Sequence, residues 1–125
     1  MFSTRIATQI YAKICFETTL GQKKIIEKLS EYLAGDDFSR IFVLNGYAGT
    51  GKTTLIAALV GALKDLNIKP ILLAPTGRAA KVLAQYAQEK AFTIHKRIYR
   101  QRTNADYESK YSLNFNAEKG AVFIV

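Results

Sequence analysis

Apolar and polar residues follow two different periods along this chain, and these periods predict helices and strands in turn. In TTLGQKKIIEKLSEYLAGDD the apolar side chains from Leu20 to Leu33 have helical spacing, and Gly35 follows as a stop. GKTTLIAALVGALKDLNI and GRAAKVLAQYAQEKA also predict helices. RIFVLNG, KPILLAPT and AVFIV are short apolar runs that each predict a strand, and Pro70 suits the first position of the second one.

The order strand, helix, strand, helix, strand predicts an α/β fold with a parallel sheet and helices on its faces. One helix precedes the sheet. Between the last helix and the last strand, TIHKRIYRQR predicts a short basic helix or turn. TNADYESKYSLNFNAEKG is polar and predicts irregular structure.

Composition narrows the classes of protein. With 125 residues, 49% of them hydrophobic, the chain can bury one core. The net charge of +8 favours a polyanionic partner, although it also serves plain solubility. Cys15 is the single cysteine, which excludes an internal disulfide and a cysteine-based zinc site. The first twenty residues carry charges at Arg5, Lys13 and Glu17 and do not resemble a secretory signal, so we expect a cytoplasmic protein without a membrane partner.

The segment GYAGTGKT, from Gly46 to Thr53, matches the phosphate-loop pattern between a predicted strand and a predicted helix. Glycines let backbone N–H groups turn toward phosphate oxygens, and the helix start adds its positive dipole end. We expect Lys52 to reach the β- and γ-phosphates and the Thr53 hydroxyl to hold Mg²⁺, which makes these two the catalytic candidates. The predicted nucleotide-binding residues are Gly46, Tyr47, Ala48, Gly49, Thr50, Gly51, Lys52, Thr53 and Thr54.

A dinucleotide-binding fold is the alternative interpretation of GYAGTG. That fold needs an acidic residue about twenty positions later to hold a ribose hydroxyl. The second predicted strand ends LAPT, without an acid, and Lys52 and Thr53 would have no role. We therefore reject this interpretation.

Three motifs together resemble the RecD-like branch of superfamily 1 DNA helicases, a group that includes the phage Dda helicase. LNGYAGTGKTT resembles their motif I, APTGRAAKVL their motif Ia, and TIHKRIY the T-I-H motif that follows. The resemblance covers residues 18–125. It implies a RecA-like phosphate-loop fold that uses ATP and Mg²⁺, translocates 5′ to 3′ on single-stranded DNA, and works with a second motor domain.

The resemblance also implies that Gln22, upstream of the phosphate loop, contacts the adenine edge; an amide can donate and accept at once. The predicted DNA contacts lie at the end of the second strand and in the next loop. Between Thr76 and Lys110 there are eight lysines and arginines against three acids, which favours phosphate contacts over base readout. For the aromatic residues among them, Tyr86, Phe92 and Tyr99, we favour core packing over base stacking. The predicted DNA-binding residues are Pro75, Thr76, Arg78, Lys81, Thr93 and His95.

The final run AVFIV resembles the strand that carries an Asp-Glu pair in this family, but the 125 residues end before such a pair. We expect residues 1–17 to be an N-terminal extension and residues 18–125 to be the N-terminal part of a motor domain, with an incomplete sheet. Such a piece should bind MgATP and single-stranded DNA weakly without unwinding. A phosphate-loop kinase and a non-catalytic, nucleotide-dependent nucleic-acid-binding module are the alternatives.

Overall fold

The computed structural model of the protein describes residues 2–15, 17–37, 39–45, 51–101, 111–113 and 120–125. Two compact units divide the chain, Met1–Asn67 and Ile68–Val125. The first unit contains helices α1 (Phe2–Lys13), α2 (Leu20–Ala34) and α3 (Lys52–Asp65). The second contains β1 (Pro70–Ala74), α4 (Gly77–Ala87), β2 (Ala91–Thr93), α5 (Ile94–Ile98), β3 (Tyr99–Gln101), β4 (Tyr111–Leu113) and β5 (Val122–Ile124).

Helix α1 forms part of the first unit, where it packs against both α2 and α3. Its Ile6 and Ile10 lie one turn apart and are fully buried, which is the spacing that turns one helix face into core. At its end, Lys13 pairs with Asp65 of α3 at 2.7 Å. The stem of Lys13 lies against Gly61, where a Cβ would be 3.3 Å from the lysine Cδ. The small residue therefore lets the two helices approach closely.

Helix α2 has a side-chain cap at its start and a glycine at its end. Thr19 caps its start through a reciprocal pair: the Gln22 N–H donates to Thr19 Oγ1 at 3.2 Å, and the Thr19 N–H donates to Gln22 Oε1 at 2.9 Å. Gly35 closes the last turn by donating its N–H to the carbonyl oxygen of Tyr32. The predicted stop at Gly35 is confirmed.

The strand predicted over RIFVLNG is wrong for its described residues. Residues 40–45 have no strand structure, although exposure alternates along them. Ile41 and Val43 are 85% and 70% exposed, whereas Phe42 and Leu44 are half-buried. An alternating pattern fixes which side chains turn inward, but a strand also needs a partner for its backbone. No described strand pairs with the backbone of this segment. Gly46, the last residue of the predicted strand, lies outside the described residues.

The second unit contains the predicted parallel sheet, with strand order β2-β1-β5 and helices beside it. β1 is central and buried, from Ile71 to Ala74, because it pairs with a parallel strand on each side. Ala74 lies beside Thr93, and Leu72 lies beside Ile124. The predictions of a strand that begins at Pro70, of a final apolar strand, and of an α/β fold with a parallel sheet are confirmed.

Three details of the second unit differ from the sequence prediction. Helix α4 ends at Ala87 rather than Ala91, because Gln88 adopts a left-handed conformation with φ of 50°. The next residues form the three-residue strand β2, which the sequence pattern did not predict. Residues 111–113, predicted to be irregular, pair antiparallel with β3. Across the described ranges, no helix is long and apolar enough to cross a membrane.

Candidate functional site

The end of the phosphate loop has the geometry that its glycine predicts. Gly51 lies in the left-handed region with φ of 82°, which side chains rarely adopt, and α3 begins at the next residue. No side chain caps this helix start, and its first turn contains Lys52, Thr53 and Thr54 without an acid. Backbone N–H groups, helix dipole and lysine thus favour an anion at this point. Gly46, Tyr47, Ala48, Gly49 and Thr50 were also predicted to bind nucleotide, and they lie outside the described residues.

Gln22, the residue predicted to contact adenine, lies beside Gly51. Its Nε2 is 3.0 Å from the position that a Cβ on Gly51 would occupy, so a larger residue at Gly51 would displace the amide. The amide is held by its own helix, because Gln22 Oε1 accepts a hydrogen bond from the Thr19 N–H. This bond directs the oxygen toward the start of α2. The T-x-x-Q spacing of a capping box could have identified Thr19, which the sequence analysis missed.

A small open cavity of about 90 Å³ lies between α2 and the start of α3. Its wall combines apolar residues with three polar ones, Gln22, Asn45 and Lys52. The mixture of apolar and polar residues is typical of small-molecule sites, although the cavity is much smaller than their roughly 300–1,000 Å³. The sequence analysis did not single out the apolar members, because apolar residues at helical spacing also predict core. The lining residues are Gln22, Ile25, Leu44, Asn45, Gly51, Lys52 and Leu55.

The Thr53 hydroxyl is the described group that suits the predicted Mg²⁺. Thr53 is exposed in the first turn of α3, next to Lys52. Mg²⁺ prefers oxygen ligands and usually completes its shell with phosphate oxygens and water. Within the described ranges there is no cluster of three or more acidic, histidine or cysteine side chains that could hold a metal alone. One hydroxyl that would share Mg²⁺ with the phosphates of a nucleotide therefore fits the chemistry that Mg²⁺ requires.

In the second unit, the predicted DNA contacts lie at one edge of the sheet. Thr76 follows β1 and caps α4, since its Oγ1 accepts from the Ala79 N–H at 3.1 Å. Thr93 ends β2, and its Oγ1 accepts from the Lys96 N–H at 3.1 Å. Because β1 and β2 are parallel and adjacent, with Ala74 beside Thr93, both threonines lie at the carboxyl edge. Each hydroxyl that accepts from a backbone N–H retains its own proton, which it can donate to a phosphate oxygen.

Basic side chains surround this edge of the sheet. Arg78 and Lys81 are exposed in the first turns of α4, a helix without acidic residues. Cationic side chains near a helix start interact unfavourably with the positive end of the helix dipole. A bound anion would offset this repulsion. Pro75 and His95 are also exposed beside the two caps. The structure therefore brings all six predicted DNA-binding residues to one edge of this unit.

The aromatic residues near this edge have different environments. Tyr86 is 61% exposed on α4, so the core packing favoured from the sequence is wrong at this position. Phe92 is half-buried, and the Arg97 guanidinium carbon lies 5.4 Å from its ring centre, within cation–π range. The side chain of Tyr99 lies outside the described residues. An exposed aromatic and an arginine on a ring are both surfaces on which a base can stack.

Comparisons with known proteins identify a family and two relatives of this chain. Residues 19–125 match the family described as AAA domain. The chain is 39% identical over 57 residues to the ATP-dependent RecD2 DNA helicase of Deinococcus radiodurans, which covers 46% of this chain and 8% of the relative. It is 45% identical over 53 residues to the ATP-dependent DNA helicase dda of Enterobacteria phage T4, which covers 42% of this chain and 12% of the relative. No solved structure matches the chain significantly.

These matches confirm the resemblance to RecD-like and Dda-like superfamily 1 helicases that the three motifs predicted. The matched part of each relative is a small fraction of its length, at 8% and 12%. The likeness therefore concerns a helicase-like phosphate-loop region.

Proposed function

Since this chain belongs to the AAA domain family, we propose that it is the ATP-binding portion of an ATP-dependent DNA helicase that moves 5′ to 3′ along single-stranded DNA. Residues 18–125 are the N-terminal part of the motor domain in this proposal. The observation that carries it is the left-handed Gly51 at an acid-free helix start, with Gln22 beside it.

Nucleotide binding follows from the chemistry of this helix start. The N–H groups of the first turn of α3 and the Lys52 ammonium bind the phosphates, and Gln22 contacts the adenine edge. The Thr53 hydroxyl is one ligand of Mg²⁺, which neutralises phosphate charge when bound. Ile25 and Leu55 line the cavity beside them and supply apolar contact. These groups bind and orient MgATP.

Single-stranded DNA binds at the carboxyl edge of the sheet in the second unit. Thr76 and Thr93 donate hydroxyl protons to backbone phosphates, while Arg78 and Lys81 supply charge. Such contacts do not depend on base sequence, which suits a translocating protein. The relatives are named ATP-dependent DNA helicases, and this supports DNA over RNA as the partner.

Hydrolysis and movement belong to a larger assembly in this proposal. The matched part of this chain covers only 8% and 12% of the two helicase relatives. In phosphate-loop ATPases an acidic residue helps to hold Mg²⁺, and a second motor domain supplies an arginine that stabilises the transition state. We therefore expect these residues to bind MgATP and single-stranded DNA without unwinding a duplex.

The first test is equilibrium binding of MgATP to the 125-residue chain and to Lys52→Ala. Loss of the ammonium that contacts the phosphates should weaken binding by at least about tenfold, since charge-assisted hydrogen bonds contribute about 1.5–3 kcal/mol. Lys64→Ala is the matched control, because Lys64 is an exposed lysine in the last turn of the same helix. Equal binding by all three proteins, or no binding by the unchanged chain, would contradict the proposal.

A further inference from the structure

Tyr32, in the last turn of α2, makes two contacts with residues 39–45, which we call the lead-in segment because the phosphate loop follows it. Its hydroxyl donates a hydrogen bond to the Arg40 carbonyl oxygen at 2.8 Å. Its ring packs against Phe42, with ring centres 5.5 Å apart and an angle of 50° between the planes. One side chain thus holds both the backbone and a side chain of the segment.

The lead-in segment depends on such contacts, because none of the described residues pairs with its backbone as a strand. Ile41 and Val43 point outward and contribute little to holding it. Phe42 packs on Tyr32, and the next inward residue, Leu44, lines the cavity beside Gly51 and Lys52. A shift of the segment away from α2 would therefore change the wall of the cavity.

Side-chain contacts also hold the turn that leads from α2 into the first residues of the segment. Asp37 accepts hydrogen bonds from the backbone N–H and hydroxyl of Ser39 and lies 3.3 Å from the Arg40 guanidinium. A Cβ at Gly35 would lie 3.0 Å from an Arg40 guanidinium nitrogen, so the turn is compact. These contacts keep the Arg40 carbonyl within reach of the Tyr32 hydroxyl.

The same helix carries Gln22 in its first turn. Tyr32 follows ten positions later, about 15 Å along the axis at the helical rise. Helix α2 therefore acts as a spacer. Its first turn carries the Gln22 amide, and its last turn holds the lead-in segment through Tyr32.

We propose that Tyr32 is a positioning residue that fixes the approach to the phosphate loop relative to Gln22. The inference rests on the proposed nucleotide binding and assigns to α2 the spacing between the base and phosphate subsites. Tyr32 acts through the lead-in segment and does not touch the nucleotide.

The test compares Tyr32→Phe with the unchanged chain in binding MgATP and inorganic tripolyphosphate, which carries phosphates without a base. Loss of the hydroxyl should weaken binding of MgATP, which spans both subsites, by a factor of about 2 to 10, the range for one hydrogen bond, and should weaken binding of tripolyphosphate less. Tyr11→Phe removes an exposed hydroxyl from α1 in the same unit and should change neither affinity. Gln22→Ala should weaken MgATP alone, which separates the base subsite from the phosphate subsite.

Nuclear Overhauser contacts give a second measurement that does not need a ligand. Contacts between the ring at position 32 and the Phe42 ring should weaken in Tyr32→Phe, while those between α1 and α3 remain. Unchanged affinity for both ligands, or unchanged contacts between these rings, would overturn the positioning role. Failure of the unchanged chain to bind MgATP would overturn the proposed function and this inference with it. Weaker ring contacts in that case would show a purely structural tether.

Discussion

At the scale of single residues, the short turn after α2 has a carboxylate that its neighbours stabilise in the charged form. The Ser39 hydroxyl and backbone N–H donate to Asp37, and the Arg40 guanidinium lies nearby; together these lower the pKa of the Asp37 carboxyl below its ordinary value of 3.8. Because the folded pKa is lowered, the stabilisation is present above the ordinary value. It is lost as pH falls through the lowered pKa.

Replacing Ser39 by alanine should therefore raise the pKa of Asp37 toward its ordinary value, because the largest cause of the shift is the serine hydroxyl. A carboxyl-detected NMR titration of the two proteins measures this directly. Ser3→Ala in α1 serves as a matched control and should leave the Asp37 midpoint unchanged. A midpoint that does not move in Ser39→Ala would contradict the assignment of the cause.

At the scale of elements, α1 is a helix that we expect to be stabilised by its packing against the other two helices of its unit. Ile10 is fully buried where α1 packs on α2 and α3. Ile10→Ala should lower the free energy of unfolding by about 2–5 kcal/mol, the cost of a cavity in a packed core. Arg5→Ala, on the exposed side of the same helix, should change it by less than about 0.5 kcal/mol. Denaturant unfolding followed by circular dichroism measures both, and equal effects would show that α1 is not part of the core.

Local chemistry made several elements predictable from the sequence. Gly35 ends α2 because a glycine after a helical pattern stops the apolar period, and Pro70 opens β1 because it lacks an N–H. GKT at Lys52 predicted a helix start, which the structure has. Thr76 was predicted to lie between the second strand and its helix, and it caps α4 there. Thr93 was predicted to lie in the next loop, whereas it ends β2.

Features that depend on distant partners were not predictable in this way. The apolar run from Ile41 to Leu44 is typical of a strand, but pairing depends on which other segment lies beside it. Strand β2 has three residues, too few for a periodic signal. Gln88 ends α4 in a conformation that glutamine rarely adopts, so no residue preference marked it. In the candidate site, the sequence motif identified the phosphate loop. That Leu44 and Ile25 line the cavity became visible only from the packing in the structure.

At the scale of the whole molecule, the net charge of +8 should make nucleic-acid binding depend strongly on salt. Each phosphate contact on a single strand contributes about 0.7 to the slope of log K against log salt. Replacing both Arg78 and Lys81 by alanine should therefore lower that slope by about 1.4. Fluorescence anisotropy with oligothymidine between about 50 and 200 mM salt measures it.

The control for this measurement removes the same number of charges elsewhere. Lys24 and Lys28 are exposed one turn apart on α2, in the other unit. Their double replacement by alanine lowers the net charge equally but should leave the slope nearly unchanged. Equal slopes for the two double variants would mean that only overall charge attracts the strand.

The reciprocal cap between Thr19 and Gln22 has a consequence for repeated use of the site. A free glutamine side chain loses about 1.5–2 kcal/mol of rotamer entropy when it is fixed. Here part of that loss occurs once, when α2 folds, and does not recur each time a nucleotide arrives. In the proposed function, the Gln22 amide contacts the adenine edge of each ATP that binds. An amide that is already oriented would then meet successive ATP molecules without a new search among rotamers.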